Sequence, residues 1–158
     1  MDLPLHPAIV HLPLGGAMLA VPLALGVLVL VVGFGVTRRA WLLAAGLQLV
    51  ALLGAGVALR SGEDLEERVE DAVGERAIHE HEEQAEAFAA TLAVSTLLFV
   101  AAAFANGRLA RLGDVGALGG AGLALAMALP TGHSGGEMVW GELPAASEGV
   151  TRDGRGDE

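Results

Sequence analysis

HLPLGGAMLAVPLALGVLVLVVGFGV, His11 to Val36, carries no acidic or basic side chain beyond its opening histidine. A helix needs roughly 20 residues to cross the hydrocarbon core of a bilayer. A buried helix of a soluble bundle keeps one polar face, and this stretch has none. It therefore reads as a membrane span. Pro13 falls in its first turn, where a missing N–H costs little. Pro22 lies inside and predicts a kink, which membrane helices tolerate when neighbours satisfy the freed carbonyl.

Working outward, three more runs share this character. Trp41 to Leu59 has Gln48 as its one polar side chain. A third run covers about Ala85 to Ala105, and a shorter fourth covers Val115 to Leu129, with Pro130 expected to end it. In the fourth, Gly116 and Gly120 are four apart, a spacing that lets helices approach closely. Thr37-Arg38-Arg39 and NGRLARLGD, Asn106 to Asp114, are tight turns. The second connection is longer and acidic: GEDLEERVEDAVGERAIHEHEEQAEAF, Gly62 to Phe88. It is helical by propensity, with a weak apolar stripe at Leu65, Val69, Val73 and Ala77. The expected fold is all-α: an integral membrane antiparallel four-helix bundle, with an acidic extramembrane helix between spans 2 and 3. Residues 1–140 form one transmembrane domain, and 141–158 are a polar, disordered tail. Met1 to Pro7 lacks the basic region and cleavage site of a signal peptide and is expected to stay attached.

Composition agrees with this reading. The chain is 53% hydrophobic over 158 residues, and the excess sits in blocks. No cysteine is present, which excludes disulfides, thiolate metal sites and iron–sulfur clusters. A net charge of −10 argues against a nucleic-acid partner. Aromatic residues make up 4%, so interfacial belts are thin. Short arginine-bearing loops stay cytoplasmic. Arg38 and Arg39 in the first loop, with Arg108 and Arg111 in the third, then place both termini and the acidic loop outside a cell (inner) membrane.

That topology gathers all five histidines at one end. His6 and His11 lead into span 1, His79 and His81 into span 3, and His133 follows span 4. At 100° per residue His81 shares a face with Ala85, Phe88, Leu92 and Ser95, which continues inward. His79 shares its face with Glu83 and Glu86 and reads as solvated. An imidazole inside a membrane is costly unless partnered, so the inward-facing ones are candidate ligands. Two chemistries fit. Neutral imidazoles from facing helices supply axial ligands to haem b, with His11 and His81 the preferred pair and His6 or His133 as alternates. Gly15, Gly16, Ala85 and Ala89 would make room for the macrocycle, and Arg60 or Arg76 would meet its propionates. Alternatively, His11, His81 and Glu137 bind a divalent Zn, Fe or Cu ion, with Glu63, Asp64, Glu82 and Glu83 nearby. The sequence lacks HExxH, and HEHEE has the wrong spacing for two ligands on one helical face. It also has no nucleophile elbow and no phosphate loop.

At LHPAIVHLPLGG (Leu5 to Gly16), HEHEEQA (His79 to Ala85) and TGHSGGEMVW (Thr131 to Trp140) the chain resembles the DUF2231 family of small four-span membrane proteins. Members open with HP-x-x-V-H-[FL]-P, carry a histidine ahead of the third span and close with TG-x-x-GGE-[LM]-V. The resemblance covers about Leu3 to Trp140 and places His6, His11, His81, Gly135, Gly136 and Glu137 on family positions. His79 is a local extra. Relatives continue into an HG-x-GV segment, which Gly141-Glu142-Leu143-Pro144 replaces here. The family has no established activity; redox partners found beside some members point the resemblance toward haem.

Three functions follow as expectations. The first is a small b-type haem protein in electron transfer or redox sensing, meeting a quinone or redox protein at the outer face. The second is a metal-binding membrane protein. The third is a structural subunit whose histidines bond helix ends. Charge-free spans argue against ion transport, while the glycine-rich faces allow a homo-oligomer.

Overall fold

The computed structural model describes residues 5–140, apart from the side chains of 64–72 and of Leu5, Pro7, Val139 and Trp140. The expected polar tail, 141–158, lies outside the described residues. A short helix α1 (Leu5–Ile9) leads into α2 (His11–Gly33). A 3-10 turn at Arg38–Ala40 opens α3 (Trp41–Val73), followed by α4 (Glu75–Phe104) and α5 (Arg108–Trp140). Four of these helices are long and apolar enough to cross a membrane. The 23 residues of α2 extend about 34 Å at 1.5 Å per residue. Glycines in the left-handed region occur in all three connections, at Gly35 (φ 67°), Gly74 (φ 88°) and Gly107 (φ 55°), where a Cβ would be strained.

The packing inverts that of a water-soluble protein. Buried positions are largely alanine: Ala17, Ala20 and Ala24 on α2; Ala44, Ala51 and Ala55 on α3; Ala117, Ala121 and Ala124 on α5. Large apolar side chains point outward, with Val32 70% and Leu43 67% exposed. Small residues at contacts and large ones outside suit helices whose solvent is itself apolar. A Cβ placed on Gly16 would stand 2.5 Å from the Cβ of Ala51, and one on Gly113 would stand 3.0 Å from the Cα of Ala102. Contacts run in opposed order: Gly16 meets Ala51 while Gly54 meets Leu12, and Trp41 stacks on Phe99 while Gln48 bonds Ser95.

Two expectations need correction. The acidic segment is not a separate helix. Gly62 to Val73 continues α3 and Glu75 onward opens α4, with the break confined to Gly74. Glu, Arg and Ala are good helix formers, and nothing between Gly62 and Val73 interrupts the ladder. Nor does Pro130 end the fourth run. Helix α5 continues through it to Trp140, and the Thr131 hydroxyl donates to the Met127 carbonyl at 3.0 Å beside it. His133 therefore lies on a helix rather than beyond one.

At the end away from the histidines, Arg38 reaches across the bundle. Its Nη2 meets Asp114 Oδ1 at 2.7 Å, Nη1 meets Oδ2 at 3.2 Å, and Nε and Nη2 donate to the carbonyls of Ala102 and Ala110. Buried Trp41 donates Nε1–H to the same carboxylate at 3.1 Å. The Arg38 and Asp114 side chains are 20% and 12% exposed, so the pair is largely dry. Removing one partner of such a pair leaves an uncompensated charge and costs about 3 kcal/mol. Asp114→Ala should lower unfolding stability in detergent by that order; a loss within error would show that the pair is solvated. Gly16→Leu should separate α2 from α3 at Ala51 and lower the thermal midpoint, whereas Gly15→Ala, with open space around its Cβ, should leave it unchanged.

Candidate functional site

The histidine end joins α1, α3, α4 and α5. His6 lies half-buried on α1, its ring against α3. His6 Nδ1 is 2.9 Å from the Ala58 carbonyl and 3.1 Å from Ser61 Oγ. A carbonyl only accepts, so Nδ1 carries the proton. The Ser61 hydroxyl donates to that same carbonyl at 3.0 Å, so its oxygen is free to accept from His6. Both contacts demand one tautomer and leave His6 Nε2 as a lone-pair donor. Gly62 makes the fit possible: a Cβ there would stand 3.3 Å from His6 Cε1.

His81 is held in the same manner from the other side. It is half-buried on α4, on the face that continues into buried Phe88, Leu92 and Ser95. Its Nδ1 lies 2.8 Å from Ser134 Oγ on α5. Ser134 has one proton and faces two acceptors, Gln84 Oε1 at 2.9 Å and the Thr131 carbonyl at 3.2 Å. Were that proton given to His81, both acceptors would face a lone pair. With Gln84 Oε1 as the acceptor of the Ser134 proton, Ser134 Oγ accepts from His81, which corresponds to the Nδ1–H tautomer. Nε2 of His81 is then also bare. The Thr131 hydroxyl, nearer to the Met127 carbonyl at 3.0 Å, also lies 3.3 Å from the Gln84 carbonyl and shares its one proton between them. Gly135 leaves room for the ring, since a Cβ there would stand 3.1 Å from His81 Cε1.

The remaining expected residues sit differently. His11 opens α2 and is exposed. His133 lies 3.3 Å from Glu137 one turn along α5, with side chains 75% and 67% exposed. His79 faces Glu83 at 3.4 Å, also exposed, as its helical phase implied. Among the described residues no group of three or more His, Asp or Glu side chains is placed to hold a metal ion, so His11, His81 and Glu137 are not assembled into one donor set. Of the arginines considered for propionates, Arg60 is exposed beside Ser61, and Arg76 is engaged by Glu80 at 2.8 Å.

Sequence reasoning missed Ser61, Ser134 and Gln84, which orient the two rings. Ser134 adjoins His133 in TGHSGGE, but its role depends on α5 running past Pro130. Reading that stretch as a loop hid it. Arg38 and Asp114 were seen only as markers of turns, because 76 residues separate them. Comparison with known proteins adds no further evidence: no family model, no curated protein and no solved structure matches this chain.

Proposed function

We propose that this chain is a multi-pass membrane protein, an antiparallel four-span bundle of the DUF2231 type, that binds haem b through His6 and His81. One observation carries the reading. Each imidazole has its Nδ1 against oxygen atoms of a neighbouring helix, Ala58 O and Ser61 Oγ for His6 and Ser134 Oγ for His81; with the proton on Nδ1, each Nε2 offers a lone pair to an iron. Anchoring the far nitrogen in this way sets ring orientation and raises ligand basicity. Two axial nitrogens complete a haem iron, whereas a structural zinc ion takes four protein ligands and a catalytic one three. A two-histidine donor set therefore favours haem over a bare Zn, Fe or Cu ion. The geometry also favours His6 over His11 as the partner of His81. Gly62 and Gly135 keep bulk away from the two rings, and Arg60 is available to a propionate. When bound, the haem supplies one-electron chemistry, and the protein sets its ligation and surroundings. With arginines at the cytoplasmic side the histidine end faces outward, where a quinone or a redox protein would exchange electrons with it.

Detergent-purified protein expressed with haem available should show a Soret band and, on dithionite reduction, sharp α and β bands. His6→Ala and His81→Ala should each abolish the six-coordinate spectrum, while His79→Ala and His133→Ala retain it. A featureless visible spectrum would overturn the assignment, and elemental analysis for zinc, iron and copper would then test the ion instead. Ser134→Ala probes the tautomer argument separately. It should weaken haem retention about 10–100-fold, the usual cost of losing an orienting partner, without loss of helicity. Unchanged retention would mean that Ser134 does not orient His81.

A further inference from the structure

The arginine end of the bundle holds a second site, unrelated to the histidines. The two connections there and the helix turns beside them, 34–41 and 104–114, contain four arginines and a single carboxylate, Asp114. Asp114 is consumed by Arg38, so Arg39, Arg108 and Arg111 remain exposed and without a carboxylate partner among the described residues. Between the turns lies an open cleft of about 260 Å³ lined by Thr37, Arg38, Arg39, Ala103, Phe104 and Asn106. Arg38 forms its wall with Nε, Nη1 and Nη2 already bonded inward. Arg39 supplies the available charge, its guanidinium carbon 5.9 Å from the centroid of the Phe104 ring. That contact over the ring face makes no use of the guanidinium N–H groups, and none of them has a hydrogen-bond partner among the described residues, so they can bond an anion. The Thr37 hydroxyl makes no capping bond to the helix it precedes. Asn106 spends one N–H on the Phe104 carbonyl at 3.0 Å and retains the other.

The surroundings are apolar as well as basic. Phe104 in the cleft wall is exposed, and on the segments flanking the cleft Phe34 is 75% exposed and Leu112 68%, with Leu109 also exposed. An inorganic anion would use the cations and ignore this rim. A lipid would use both. We propose that the cleft binds the headgroup phosphate of an anionic phospholipid, with Arg39 the principal contact, Thr37 and Asn106 as hydrogen-bond donors, and the acyl chains along the apolar rim. Arg108 and Arg111 disfavour a zwitterionic headgroup, whose terminal cation they would repel. A basic residue at a membrane surface favours anionic lipid by about fivefold in binding.

The site rests on the membrane reading and is independent of haem. Detergent-purified full-length protein would be titrated with dioctanoyl phosphatidylglycerol, dioctanoyl phosphatidylcholine or inorganic phosphate. Thermal midpoint and lipid retained in native mass spectrometry are the readouts. Phosphatidylglycerol should be retained and raise the midpoint, phosphatidylcholine much less, and phosphate not at all. Arg39→Gln should weaken phosphatidylglycerol binding about fivefold, Thr37→Val should weaken it too, and Arg39→Lys should keep most of the preference. Equal binding of the two lipids, an unaltered preference in Arg39→Gln of wild-type helicity, or protection by phosphate alone would each overturn the proposal. Release of the protein from membranes by a carbonate wash would instead overturn the membrane reading itself.

Discussion

Close approach of helices over alanine and glycine is the constraint on which the rest of this structure depends. In an apolar solvent, burying a leucine gains little, because lipid tails are as apolar as the side chain. What helix contacts can gain is dispersion between close surfaces and hydrogen bonds that would otherwise go unmade. The chain follows that logic. Its interior is alanine with a few large exceptions, among them Trp41, Phe99 and Leu92. Positions such as Gly16 and Gly113 admit no Cβ without displacing a neighbour. Once backbones are this close, short polar side chains such as Ser134 and Ser95 can reach across from one helix to the next.

Much of this was legible in the sequence. The charge-free runs located four helices because a run without a wet face has few alternatives. Helical phase separated His81 from His79, since Phe88, Leu92 and Ser95 continue one face and Glu83 and Glu86 the other. Other features were hidden for physical reasons. Outside a membrane span, Glu, Arg and Ala extend a helix as readily as they form a new one, so the junction at Gly62 left no mark. Pro130 reads as a stop by local rules, yet tertiary contacts from Thr131 and Ser134 to α4 hold the helix beyond it. In the sequence His6 only leads into span 1, just ahead of Pro7. A short helix, α1, in fact turns its ring onto Ala58 and Ser61. Arg38, Trp41 and Asp114 meet only after folding, and no local pattern announces them.

The polar contacts that cross between helices are few, and each ties a different set of elements. His6 joins α1 to α3, and His81 with Ser134 joins α4 to α5. Arg38 joins the turn before α3 to the end of α4 and the start of α5. Between these ends, fully buried Gln48 donates to Ser95 at 3.0 Å, joining α3 to α4. A polar bond made once per level acts on register more than on stability. Sliding one helix by a turn would bring Cβ atoms onto glycine positions such as Gly16 and would strand a buried amide, a hydroxyl or a charge.

Gln48 shows how that register is held. It sits where two apolar clusters meet, one built around Trp41 and Phe99 and the other around Phe88 and Leu92. Its Oε1 has no hydrogen-bond partner among the described residues, and an unsatisfied buried acceptor costs about 1–3 kcal/mol. A hydrophobic residue of the same size would avoid that cost but leave the neighbouring alanine layers nearly interchangeable. The amide instead distinguishes the level of Ser95 from every other level of α4 in the core, where Ser95 is the sole buried polar residue. Gly120 supports the arrangement from α5, because a Cβ there would crowd Ser95 Oγ at 3.1 Å. Fixing α4 against α3 at this point also fixes where its outer turns end. It thereby sets the height at which His81 meets Ser134, so the placement of that imidazole depends on a contact in the middle of the bundle.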